Sequence, residues 1–219
     1  MKKIVLYTFL LIALFCFSLA QAQSKISLTN LQCEMLSNPE GIDVVQPRLS
    51  WQIKSDVNEV EQTIYHILVA STKEKLDAND ADLWDSGKVN SNQSINVIYK
   101  GQKLTSRKEA YWKVKVWTNK GETSWSAVNY WSIGILTYVD WKTKLWIGYD
   151  FPFEWDSITT HARLSARYFR KEFQLKNNIK KAKVYIMGLG LYELYINGDK
   201  IGNQVLAPVP TDYAKNVKY

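Results

Sequence analysis

The segment that most constrains what this chain can fold into is Gly188-Leu-Gly-Leu-Tyr-Glu-Leu-Tyr-Ile-Asn-Gly-Asp-Lys-Ile-Gly202. Tyr192, Leu194 and Ile196 alternate with Glu193 and Tyr195, the period of two that lines one side of a strand with apolar groups. Asn197-Gly198 follows at once, and these residue types adopt the positive φ angles that a two-residue hairpin turn requires. The segment therefore predicts a β-hairpin. A hairpin alone is at best marginally stable in water, so a sheet must surround it. Too few residues follow it to complete a sandwich that begins near Lys144, and the expectation is of a chain cut inside a domain.

The other end reads as an export signal. Lys2 and Lys3 precede an almost wholly apolar run from Ile4 to Leu19. Ala20-Gln21-Ala22 then places small residues at both positions that a signal peptidase reads, which predicts cleavage before Gln23. The competing reading is a membrane anchor, since a span needs roughly 20 apolar residues. A lipoprotein signal at Cys16 is disfavoured, because Phe15 occupies the place of a small residue. Removing residues 1–22 lowers the net charge from +7 to +5 and leaves no membrane span. That mild excess is spread out, with Lys180, Lys181 and Lys183 the densest basic group, so no nucleic-acid partner is indicated. Cleavage also leaves Cys33 as the one cysteine. It cannot form an internal disulfide, and its partly alternating apolar surroundings predict a buried, inert thiol.

Pattern divides the mature chain into two β domains. From Lys25 to Gly134, strand candidates are spaced like those of a seven-strand sandwich. They are Ile26 to Met35, Arg48 to Ile53, Thr63 to Ser71, Leu83 to Lys88, Ser94 to Tyr99, Ala110 to Trp117 and Ser124 to Ile133. In the strand at 110–117, Trp112, Val114 and Val116 share the side predicted to enter the core, with Trp51 as a core partner. Tyr111, Lys113 and Lys115 take the opposite side, and both lysines are predicted to be solvated. Thr72 to Asp82 can hold a single turn or short helix capped by Ser71 or Thr72.

Nine tryptophans invite a sugar-binding interpretation, because flat aromatic faces suit pyranose rings. Trp51 and Trp112 sit on alternating strands and are read as core anchors. Trp141, Trp146 and Trp155 lie in irregular stretches, Asp140 to Gly148 and Pro152 to Asp156, and are the carbohydrate-contact candidates. Junction packing is the competing explanation for them. Catalytic constellations are missing: no phosphate-binding glycine loop, no nucleophile elbow, and no cysteine–histidine metal set. His66 and His161 are far apart and read as structural. The pairs Asp80 with Asp82 and Glu154 with Asp156 read as solvated or turn-forming. No catalytic residue, metal ligand or cofactor is assigned.

An ordered motif series is more specific. Asn38 to Asp43, Gln46-Pro-Arg-Leu-Ser-Trp51, Gln62 to Ser71, Asp82 to Val89, Tyr111 to Trp117, Trp125-Ser126, Trp141 and Trp146-Ile-Gly148 come first. Arg170-Lys-Glu-Phe173, Gly188 to Glu193, Ile196-Asn-Gly198, Val205-Leu206 and Thr211-Asp-Tyr213 follow. Together they resemble the start of bacterial α-L-rhamnosidases of glycoside hydrolase family 78, over essentially the whole mature chain. The resemblance implies an all-β fold: a fibronectin type III-like sandwich over 25–134, then an incomplete jelly-roll-type β-sandwich, the accessory domain, over 135–219. The family's (α/α)6 barrel carries an inverting pair of carboxylates. Nothing in this chain matches that barrel, so no catalytic position carries over.

The function implied is that of a non-catalytic amino-terminal part. The full enzyme would release terminal α-L-rhamnose from glycans or glycosides in the periplasm or outside the cell, with a rhamnose-containing carbohydrate as partner. A free-standing carbohydrate-binding protein and a structural surface sandwich are the alternatives. The 25–134 domain is expected to fold alone, and the piece from 145 onward to be unstable by itself.

Overall fold

The structure is a computed structural model that describes residues 26–141, 146–149, 151–156, 165–175, 178–179 and 181–215. The leader segment, with Cys16 and its cleavage site, lies outside the described residues, as do His161 and Lys180. The chain separates into two compact units, residues 1–147 and residues 148–219.

The first unit is a β-sandwich. One sheet has the order β1 (Ile26–Cys33), β2 (Arg48–Ser55), β6 (Val97–Ile98). The other is built on β3 (Gln62–Ala70) and β7 (Glu109–Thr118), with β4 (Trp84–Asp85), β5 (Val89–Asn90), β8 (Gly121–Glu122) and β9 (Asn129–Ser132) flanking them. Antiparallel pairing of β3 with β7 runs from Gln62 opposite Thr118 to Ala70 opposite Tyr111. The sequence-predicted strands are thus present, though the one expected over 124–133 shortens to Asn129–Ser132.

Alternation decides what is buried. On β7, Ala110, Trp112, Val114 and Val116 are fully buried, and on β3 so are Ile67 and Val69. Leu49 and Trp51 of β2 meet them from the other sheet within one core. Trp51 packs edge-on against Tyr65 with centroids 5.4 Å apart. Its indole N–H donates to Gln62 Oε1 at 3.0 Å, and the Gln62 amide donates in turn to the Ser91 and Gln93 carbonyls. The buried indole is thereby satisfied, as a buried donor must be. Trp84, Tyr99 and Trp131 continue the aromatic core through edge contacts of 5.4 Å. A Cβ at Gly101 would lie 2.5 Å from the Leu83 carbonyl, the Trp84 Cβ and the Tyr99 hydroxyl, so only glycine fits under this aromatic corner.

The outer side of the larger sheet corrects one expectation. Lys115 is partly exposed and pairs with Glu122, but Lys113 is buried. Helix α1 (Lys73–Asp77), capped by the Thr72 hydroxyl, lays its buried Leu76 beside β3 and β7. Lys113 Nζ donates to the Leu76 carbonyl and to Asn79 Oδ1, both at 2.7 Å. Helix ends leave carbonyls without intrahelical donors, and an ammonium suits that position by charge as well. Burial lowers the Lys113 pKa, and Asp77 opposes that shift. The lysine pins the helix to the sheet instead of solvating it.

Cys33 is buried, and burial, with the charge of Glu34, pushes its thiol up to about 12. Its burial is the one the sequence indicated.

The second unit has a different texture. Its regular elements among the described residues are β10 (Tyr195–Ile196) and β11 (Asp199–Lys200), paired across Asn197-Gly198. Those turn residues have φ of 53° and 93°, the doubly positive geometry the dipeptide predicted. Tyr192 and Leu194 are half-buried, whereas Ile196 is exposed. No described residue of this unit is buried as a whole, although the Asp156 side chain is covered.

Candidate functional site

The three candidate tryptophans fall into different settings. Trp141 closes a 3-10 turn, Tyr138–Asp140, at the exit of the sandwich, and is half-buried. Asp140 organises that turn: its carboxylate accepts from the Ser106 hydroxyl at 2.6 Å and the Thr137 hydroxyl at 2.7 Å. The Ser106 and Thr137 hydroxyls hold the Asp140 carboxyl below the usual range. Arg107 donates to the Asp140 carbonyl. Trp141 therefore follows a turn that these bonds tie to the loop around Ser106 and Arg107. Trp146 is 53% exposed and belongs, like Trp141, to the first unit.

Trp155 belongs to the second unit and is 73% exposed. Aromatic residues occupy every second position from Tyr149 to Trp155. Tyr149 stacks on Phe153 at 5.2 Å with 14° between the planes, and Phe153 on Trp155 at 4.9 Å and 16°. The result is a short ladder of near-parallel rings. The Arg167 guanidinium lies 4.3 Å from the Phe153 centroid and bonds Asp156 at 2.6 Å. The Asp156 side chain is fully buried and accepts from the backbone N–H of Phe153 and of Ser165, at 2.7 and 2.8 Å. Arg167 foremost, and then Ser165, hold its carboxyl well below the usual carboxylate range.

Ser165 ties the two halves together. Its hydroxyl donates to Asp156 Oδ1 at 2.7 Å and accepts from Arg167 Nη1 at 2.8 Å and from the Trp155 indole N–H at 3.1 Å. The exposed indole is thus fixed in plane by the same group that closes the Arg167–Asp156 pair. Asp156 forms a turn, as the sequence indicated, but it is not solvated. Arg167 and Ser165 were not singled out in the sequence. They lie 9 to 11 residues from Asp156, beyond any local motif spacing.

Elsewhere, Asp82 and His66 are engaged with neighbouring side chains. Asp82 accepts from the Ser71 backbone, the Ser71 hydroxyl and Lys75. Burial alone would raise its pKa, but the bonds from Lys75 and Ser71 outweigh it and hold it at about 2. His66 Nε2 lies 2.6 Å from Asp85 and packs against Trp125. Among the described residues no group of three or more His, Cys, Asp and Glu side chains converges as a metal site would require.

Comparison with known proteins gives these domains a context. Residues 28–137, half of the chain, match the family model described as Rha78A-like, N-terminal immunoglobulin domain. The chain belongs to this Rha78A-like family. In the same order, residues 177–219 match the α-L-rhamnosidase N-terminal domain. An α-L-rhamnosidase of Formosa agariphila is 36% identical over 98% of this chain, and one of an Alteromonas species 34% identical over 83% of it. Among solved structures, the α-L-rhamnosidase of Dictyoglumus thermophilum matches 85% of the chain at 36% identity with a TM-score of 0.73. That of Streptomyces avermitilis, complexed with L-rhamnose, matches 54% at 35% identity and a TM-score of 0.51. This Rha78A-like chain spans 24% of the length of the Formosa relative, 20% of the Alteromonas one, and 22% and 11% of the two solved chains. The chain corresponds to amino-terminal domains of these α-L-rhamnosidases, and its all-β class follows the expectation.

Proposed function

We propose that this chain serves as the accessory amino-terminal part of an exported α-L-rhamnosidase, whose complete form hydrolyses terminal α-L-rhamnosyl residues of glycans or glycosides. The observation that carries this is the succession of the two family matches along one chain, sandwich first and accessory domain second. The residues in hand support it chemically. The sandwich spends its polar side chains on its own architecture, as with Lys113 on α1 and Asp82 on Ser71 and Lys75. Catalysis by inversion needs an acid and a base on opposite faces of the sugar, about 6.5–9.5 Å apart. The buried Asp156 is committed to Arg167 and Ser165 and is unsuited to either role.

A chromogenic aryl α-L-rhamnoside supplies the test. The isolated chain should release no aryl alcohol, whereas the complete product of the same gene should release it with inversion at the anomeric carbon. Turnover by the isolated chain, or none by the complete protein, would sink the reading. The leader is proposed to be removed before Gln23, placing the protein in the periplasm or outside the cell. Mass spectrometry of the mature amino terminus checks this.

The second reading, carbohydrate binding by this portion itself, is favoured by the fixed and exposed indole of Trp155.

A further inference from the structure

Exposure alone does not distinguish Trp155, because Phe151, Tyr168 and Phe173 in the same unit are similarly open. Its fixation does. The indole is backed on one side by Phe153, and Phe153 by Tyr149. Its N–H is held by Ser165, whose hydroxyl is itself locked between Asp156 and Arg167. A rigid aromatic plane loses little conformational freedom when something stacks on it, which is the main cost such contacts otherwise carry. The support is also built for permanence. Arg167 and the fully buried Asp156 form an ion pair whose remaining lone pairs are taken by the Phe153 and Ser165 backbone N–H groups. Breaking such a pair leaves an uncompensated charge.

We propose that Trp155, on its Phe153–Tyr149 ladder, is a stacking platform for a neutral pyranoside, and that Ser165 is the residue that positions it. The charge balance selects the neutral class. Asp156 cancels Arg167 within the site, and the neighbouring Glu154 is exposed, so among the described residues there no unpaired cation recruits a uronate or a sulfated sugar. The apolar side of a pyranose ring, its axial C–H groups, fits an aromatic plane, and a 6-deoxy sugar adds a methyl group to that contact. The choice of a rhamnoside as the ligand rests on the proposed function; the platform rests on the geometry alone. Its role would be to hold glycan near the enzyme without touching the reacting bond.

The test uses the full chain with 15N-labelled tryptophans, titrated with methyl α-L-rhamnopyranoside to about 50 mM, beyond the millimolar range of weak sites. The Trp155 indole resonance should shift saturably while the Trp146 resonance stays in place. Trp155→Ala should abolish saturable binding, and Ser165→Ala, which leaves the ring but frees it, should weaken binding about 3- to 10-fold. Methyl α-glucuronoside should produce no shift. No saturable movement of the Trp155 resonance by methyl rhamnoside or methyl mannoside overturns the platform. A shift with mannoside but not rhamnoside overturns the rhamnoside assignment. Each of these results is independent of whether the complete protein hydrolyses rhamnosides, so the two proposals fail separately.

Discussion

The sandwich core and the aromatic row of the second unit use the same side chain in opposite ways. In the core, Trp51, Trp112 and Trp131 are at most 1% exposed; in the row, Trp155 is 73% exposed. Composition does not separate these cases, but pairing does. Trp112 alternates with polar neighbours on a strand of ten residues, paired along most of its length with β3. The sheet turns every second residue toward one side, and a second sheet covers that side. Trp155 also belongs to an alternating aromatic row, yet that row is not a strand among the described residues. Its rings are held by stacking and by one buried ion pair. Period-two patterning therefore yields a core only where a ladder of backbone hydrogen bonds carries it.

The sharpest way to break this comparison is to truncate both rings. Trp112→Ala should destabilise the sandwich by about 3–5 kcal/mol, while Trp155→Ala should leave its stability within about 0.5 kcal/mol. Chemical denaturation followed by circular dichroism measures both, and equal losses would end the contrast. A finer distinction exists inside the core. Trp51→Phe strands the Gln62 carbonyl that now accepts the indole N–H, costing about 1–3 kcal/mol beyond the lost volume. Trp112 Nε1 has no hydrogen-bond partner among the described residues, so Trp112→Phe should escape that extra cost in the same denaturation series.

Smaller still is the contribution of Asp82. The folded state holds this carboxyl at about 2, below its ordinary 3.8, so the unfolded chain takes up the proton first as the pH falls. Its stabilisation is complete above 3.8 and disappears as the pH drops through about 2. Asp82→Asn should cost about 1 kcal/mol at neutral pH and flatten the acid limb of the stability profile measured between those values. The least effect is expected at Cys33. With its thiol pushed up to about 12 and buried, it should resist alkylation in native buffer and react only on unfolding. Thiol labelling followed by mass spectrometry reads this directly.

Much of the sandwich was legible because its determinants are local. Alternation marked β3 and β7, and Ser71 or Thr72 marked the start of α1; in the second unit Asn197-Gly198 marked the hairpin turn. Lys113 was misread because its acceptors, Leu76 and Asn79, stand 37 and 34 residues away, a separation that no strand pattern encodes. The ring ladder was half legible. Trp155 stood out as an unusual loop aromatic, whereas Arg167 and Ser165 acquire meaning only once the chain returns to Asp156. Trp141 was chosen on the same reasoning as Trp155, but it follows a turn organised by Asp140, whose partners Ser106 and Arg107 stand 34 and 33 residues away.

The margins of the sandwich have a consequence of their own. β4, β5, β6 and β8 are two residues long, and β9 is four. The one long margin, β1, breaks register between Thr29 and Gln32, where Asn30 takes a φ of 47°. A neighbouring molecule therefore finds no straight run of free amides and carbonyls on which to lay a strand. Copies of this domain crowded together are thereby guarded against knitting into one another along these margins.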